Sequence, residues 1–247
     1  MSSHKSHRFA RAALGGIAGT ALLTLPAGAM AGIVVASSGP SAKTYPPGTK
    51  LPDDARITLK ASDRVTILDK RGTRVLSGAG TYTVGTSSGP SRTSTFVALT
   101  TQRSASRVRT GAVRGSGPDG KPLRPNLWYV DVTSSGPVCV VDAGEVRAWR
   151  PSKDGAAAYE TEPAAGGAAM ELSFQDGSMV APWGGAPVAE GASYAIAPKG
   201  KAPEVKITFR LLPQQDYAPE DLAEALLAKG CEGQVNVLAH SLALPQG

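Results

Sequence analysis

The chain has 247 residues, 41% of them hydrophobic and 19% charged, with a formal net charge of +6. That apolar content can bury a core, which excludes global disorder, and the composition also excludes a collagen-like, coiled-coil or polytopic membrane protein. Aromatics reach only 5%, while 29 Gly and 19 Pro punctuate the chain in a way that suits many short strands and turns.

Residues 1–31 read as a secretory signal peptide. His4, Lys5, His7, Arg8 and Arg11 form a positive start, residues 12–25 are apolar, and Pro26 and Gly28 break the run before the small-x-small site Ala29, Met30, Ala31. The apolar stretch is short of the ~20 residues that a membrane anchor needs. The mature chain is therefore expected to begin at Gly32, to be periplasmic or secreted, and not to span a membrane. Without the signal the net charge falls to +3 and His240 is the one remaining His. A His-rich zinc site is thereby excluded.

Short period-2 patterns then follow one another. Ile33, Val34 and Val35 start a strand that Ser38, Gly39 and Pro40 turn. RITL at 56–59, RVTIL at 64–68, TRVL at 73–76 and TYTV at 81–84 alternate between turns and predict strands. Residues 93–103 fit either a strand or a short helix. LWYVDV at 127–132 and VCVV at 138–141 open the second half, and further strands are predicted at 145–149, 157–161, 170–174, 193–196 and 205–211. One C-terminal helix is predicted at about 219–229: Pro219 fits the first turn, Glu220 and Asp221 suit its positive end, Leu222 and Leu226 share a face, and Gly230 closes it. QVNVL at 234–238 is predicted as a last strand.

Charge divides the chain. Residues 32–125 carry fifteen Lys/Arg against five Asp/Glu, and residues 126–247 carry eight against fifteen. The boundary falls in residues 104–125, a basic Gly/Pro-rich linker or surface loop. The organisation expected is a signal peptide (1–31), a first β domain (32–103), this linker, and a second β domain (126–247) ending in the helix. Cys139 and Cys231 are the only cysteines, and in an oxidising compartment they most simply pair. Their long loop predicts about 4–5 kcal/mol of chain-entropy stabilisation. A catalytic thiol is the rival, but Cys231 follows an expected helix C-terminus, where the dipole raises a thiol pKa.

Residues 46–84 resemble the FecR-type β domain of bacterial envelope proteins. The resemblance rests on Pro47 and Gly48, LPDDARI at 51–57, VTILD at 65–69, Gly72 and LSGAGTY at 76–82. It implies a small all-β module of the kind linked to envelope signalling or surface assembly. Lys70 and Arg71 intervene where family members carry a tight Asp-Gly turn, and the cytoplasmic domain and membrane span of the sigma-restraining members have no counterpart. VAEGASYAI at 188–196 resembles the tyrosine corner of fibronectin type III and immunoglobulin-like sandwiches. That likeness implies a structural Tyr194 beside a core ring, Trp183.

The remaining motifs lack their context. Gly85, Ser87 and Gly89 spell G-x-S-x-G, but Pro90 follows where a helix is needed. Residues 115–120 spell G-x-G-x-x-G, yet Lys121 to Pro125 cannot open a phosphate-binding helix. Asp53 and Asp54 lack the further oxygen ligands of a calcium loop. Ser-Ser-Gly-Pro recurs at 37–40, 87–90 and 134–137 as reuse of a good turn sequence. His240 reads as a surface or tail residue.

Arg103, Arg107, Arg109, Arg114, Lys121 and Arg124 form a basic patch in the linker. It suits an envelope protein's acidic face, anionic envelope lipid or lipopolysaccharide, or else the acidic half of the same chain. Nucleic acid is not expected, because aromatic stacking platforms are lacking. The chain is thus expected to be mainly β and non-enzymatic, without a cofactor, metal or catalytic set. Binding or scaffolding in the envelope, with a signal-input role, is the leading reading; a carboxylate-based hydrolase or carbohydrate-active enzyme is the alternative.

Overall fold

The computed structural model describes residues 30–86, 91–101, 122, 124–184 and 186–244. Most of the expected signal peptide, the Ser-Ser-Gly-Pro copy at 87–90 and the segment 102–121 lie outside these residues. The described residues are mainly β.

Six strands form first: β1 (Met30–Ser38), β2 (Lys50–Pro52), β3 (Arg56–Leu59), β4 (Arg64–Asp69), β5 (Gly72–Ser77) and β6 (Gly80–Thr83). An antiparallel sheet runs β2-β1-β4-β5, and β3 pairs with β6. Alternation decides which side chains go inside. Ile57 and Leu59 of β3 are buried while Arg56 and Thr58 are exposed, and Val65 and Ile67 of β4 are sealed. With Val34, Leu51 and Val84 they make one cluster, each burial contributing about 1.5–3 kcal/mol. β1 already begins at Met30, upstream of the cleavage junction expected after Ala31, with a register shift between Met30 and Gly32.

Asp63 ties the loops of this module together. Its carboxylate accepts the Ser41 N–H at 2.9 Å and the Lys60 N–H at 2.6 Å. Burial pushes its carboxyl up, but the hydrogen bonds from Ser41 and Lys60 outweigh this and hold it below the usual range. Gly39 makes the fit possible. It sits at φ +95°, and a Cβ there would lie 2.6 Å from both the Asp63 carboxylate and the Ser62 carbonyl.

The second half contributes β7 (Val130–Asp131), β8 (Gly136–Val140), β9 (Arg147–Trp149), β10 (Ala157–Pro163), β11 (Met170–Phe174), β12 (Val180–Pro182), β13 (Ser193–Pro198) and β14 (Val205–Leu211). One sheet runs β11-β10-β13-β14-β8, antiparallel except for the parallel pair β14–β8; another runs β12-β9-β7. Val138, Val140, Leu172, Phe174, Ile196, Ile207 and Phe209 of the larger sheet meet Val130, Ala148 and Ala181 of the smaller in one core. The strand expected at 127–132 shortens to β7, because residues 126–129 turn: the Trp128 N–H donates to the Asn126 side chain at 3.0 Å.

Three α-helices lie among the described residues: α1 (Thr93–Thr100), α2 (Pro219–Ala228) and α3 (Glu232–Ser241). Residues 93–103, open between strand and helix, begin as α1. The strand expected at 234–238 is instead part of α3, so two helices, not one, lie C-terminally. Val235, Leu238 and Leu242 are buried at helical spacing together with Cys231, and this period overrides the brief alternation of Val with Asn236. The helices share a cluster with both halves: Ile33 and Leu68 of the first sheet, Phe96 and Leu99 of α1, Leu127 and Trp128, Cys139 of β8, and Leu222, Leu226 and Leu238. Lys50 of β2 lies 2.7 Å from Glu224 of α2. Thr73 of β5 donates to the Leu242 carbonyl and accepts from the Leu244 N–H, both at 2.8 Å. No side chain fits at Gly72 beside this bridge, since a Cβ would collide with the Leu242 carbonyl.

Candidate functional site

β9 and β12 frame a cavity of about 450 Å³, lined by Glu145, Val146, Arg147, Pro182, Trp183 and Val188 among others. This lies within the range of small-molecule pockets. Its walls are fixed locally. The Asp142 carboxylate accepts the Gly144 N–H at 2.8 Å and caps the short turn that carries Glu145. Arg147 pairs across the ladder with Pro182. The Trp183 ring meets Phe209 edge-on at 5.3 Å and Tyr194 at 5.6 Å. The Tyr194 hydroxyl donates to the Pro187 carbonyl at 2.6 Å, which anchors the wall between Ala186 and Val188.

Among the described residues, Arg147 lacks a close partner here. Arg147 has its nearest carboxylate, Glu145, at 4.0 Å, beyond hydrogen-bond reach. Its Nε and the Trp183 Nε1 are buried with no acceptor among the described residues. Arg150 behaves differently: its guanidinium donates to the Ser178 carbonyl at 3.0 Å and the Gly155 carbonyl at 2.5 Å, and lies 5.2 Å from the Phe174 ring centre. The Tyr129 phenol is pushed up by burial, with the Arg147 charge pulling it back.

A groove of about 310 Å³ runs between α1 and the segment before α2, lined by Phe96, Val97, Trp128, Val141, Tyr217 and Leu222 among others. Val97, 49% exposed, is the one large hydrophobic left open among the described residues. Beside it, the Trp128 indole donates to the Thr100 carbonyl at 2.6 Å and the Asn126 amide to the Thr101 carbonyl at 2.8 Å. These bonds bring together the two flanks of the basic segment. A third recess, near Lys50, Glu220, Asp221 and Glu224, holds only about 40 Å³. That is little more than one water's ~30 Å³ share of the liquid. Burial pushes Glu220 up there, Asp221 and Asp69 adding to the rise.

Cys139 and Cys231 form a disulfide with Cα atoms 6.0 Å apart, both residues fully buried. Trp183 and Tyr194 lie in the second core. Arg124, expected on the exposed basic patch, is instead buried and donates to the Tyr129 carbonyl at 2.9 Å; burial pulls its pKa down, Asp131 opposing. Arg103, Arg107, Arg109, Arg114 and Lys121 lie outside the described residues, as do the 115–120 motif and all but Gly85 and Thr86 of the 85–89 motif. His240 is exposed, its Nδ1 2.8 Å from the Asn236 carbonyl. Asp53 and Asp54 are exposed in a turn. No group of three or more His, Cys, Asp or Glu converges among the described residues. No helix among them is long and apolar enough to cross a membrane. Arg147 and Glu145 were not singled out from sequence. The available signal was an Arg on a short strand ending in Trp149, within an otherwise acidic half.

Comparison with protein-family models, curated proteins and solved structures finds no match to the chain.

Proposed function

We propose that the chain is an exported, non-enzymatic envelope protein, periplasmic or secreted, that binds or scaffolds other envelope components and passes a signal to a membrane partner. Residues 32–103 serve as a FecR-like β module and residues 126–247 as a sandwich-like one. The observation that carries this reading is the buried Cys139–Cys231 bond joining β8 to the head of α3, since such bonds persist in oxidising compartments. The signal-like pattern of residues 1–31 supports the same location. Arg103, Arg107, Arg109, Arg114 and Lys121 supply attraction to an anionic envelope surface, an attraction that weakens as salt rises.

Fractionation followed by thiol alkylation and N-terminal sequencing tests the location. The expected result is processed protein outside the cytoplasm with both thiols blocked; intact cytosolic protein with two free thiols would overturn the reading. Retention of the purified mature protein on envelope fractions tests the attraction. Arg107→Gln, Arg109→Gln and Arg114→Gln together should lower retention at low salt, and unchanged retention would remove the basic segment from the proposal.

A further inference from the structure

The geometry points to a carboxylate-binding pocket centred on Arg147, one that takes a small organic acid. Three observations converge. The first is room: about 450 Å³, walled by Val146, Pro182, Trp183 and Val188. The second is rigidity. Trp183 packs edge-on against Tyr194 and Phe209, which also touch each other, Tyr194 holds the Pro187 carbonyl, and Asp142 caps the turn that carries Glu145. A pocket held this way loses little entropy when it is filled.

The third is a guanidinium whose nearest carboxylate lies beyond hydrogen-bond reach. A guanidinium presents five donors in a planar fork that matches a carboxylate. Arg124 and Arg150 direct donors onto backbone carbonyls. Arg147, its side chain 20% exposed, has only the Glu145 carboxylate 4.0 Å away. A partly exposed guanidinium without a close carboxylate selects an acceptor-only group, and a carboxylate accepts from its terminal N–H groups through two parallel bonds. Glu145, 40% exposed at the rim, is an internal competitor for that position. It keeps the arginine partly screened until an outside acid replaces it.

This inference does not depend on export. Its chemistry could be supplied by the α-carboxylate of a peptide or by a uronic sugar, and calorimetric titration of the intact mature protein separates them. One arm uses acetyl-dialanine, with acetyl-dialanine amide as the uncharged control; the other uses digalacturonate. At least one acid should bind while the amide does not. Arg147→Gln should weaken binding by roughly tenfold or more, and Arg147→Lys, which keeps the charge without the fork, should fall between. Glu145→Gln should tighten binding about two- to fivefold by removing the competitor. These opposite signs cannot arise from misfolding, and unchanged thermal unfolding of Arg147→Lys guards the negative variant. The inference is overturned if neither acid binds below about 10 mM (a free energy under ~3 kcal/mol), if the amide binds as well as its acid, or if Arg147→Gln binds like the wild type.

Discussion

Gln234 offers a stringent test of how α3 holds the second half. It is 1% exposed, yet its amide is fully engaged. Oε1 accepts the Cys139 N–H at 2.6 Å, and Nε2 donates to the Cys139 carbonyl at 2.8 Å and the Leu127 carbonyl at 2.9 Å. The side chain thus pairs with β8 along the edge opposite β14, in place of a further strand. Gln234→Leu keeps helix propensity and most of the volume, so the perturbation is polar. It leaves one buried N–H and two buried carbonyls without partners. At about 1–3 kcal/mol for each group so stranded, less some gain from the apolar replacement, the expected loss is roughly 3–5 kcal/mol. That is a large share of the ~5–15 kcal/mol of an ordinary fold. Urea unfolding of both proteins with the disulfide intact reads this difference from the midpoints. Gln234→Glu, which turns the donor into an acceptor facing two carbonyls, should lose at least as much at neutral pH. A loss below about 1 kcal/mol in Gln234→Leu would show that water or relaxation satisfies β8 without this side chain, and the reasoning would fail.

The Cys139–Cys231 bond closes a loop across a sequence separation of 92, so Cys139→Ala with Cys231→Ala should lose about 4–5 kcal/mol by chain entropy; a loss under ~1 kcal/mol in denaturant titration would contradict this. Asp63 is held below the usual carboxylate range by its bonds from Ser41 and Lys60. Its contribution is therefore full above the unfolded-state pKa and disappears as pH falls through the folded one. Asp63→Asn should be less stable than wild type at pH 7, with the gap in melting temperature closing towards acid. Glu220 has the opposite sign: its carboxyl is raised by burial, with one oxygen lacking a partner among the described residues. Glu220→Gln should melt higher at neutral pH and converge with wild type below the ordinary carboxylate range, and a lower melting point at neutral pH would count against it.

Periodicity carried the strands well where a side chain's face decides burial. In β14 the alternation of Ile207 and Phe209 with Lys206 and Thr208 is visible in sequence; the first two are buried, Lys206 is exposed and Thr208 half-buried. It failed where the window was too short. Val235 and Val237 flank Asn236 as in a strand, and only Cys231, Leu238 and Leu242, outside that triplet or at its margin, reveal the helical repeat. It failed also at Leu127 and Trp128, whose apolar character reflects insertion into the cluster beneath α1. The candidate pocket was hardly legible. Glu145 and Arg147 are neighbours in sequence, but Pro182, Trp183 and Val188 join them through the β9–β12 pairing, a long-range register that composition does not encode. Trp183 and Tyr194 were readable as partners because they lie close together in the chain; Gln234 was not, since its three bonds reach Leu127 and Cys139, about a hundred residues away.

The bridge between Thr73 and residues 242–244 bears on the order in which the molecule assembles during synthesis. β5 emerges from the ribosome early, but the backbone that covers Thr73 is translated far later, after α2 and α3. Until then the sheet keeps an open rim, and Ile33 and Leu68 lack the helices that bury them. A nascent polypeptide in that condition is unfinished and pliable, the state in which a chain can still be threaded through a narrow pore.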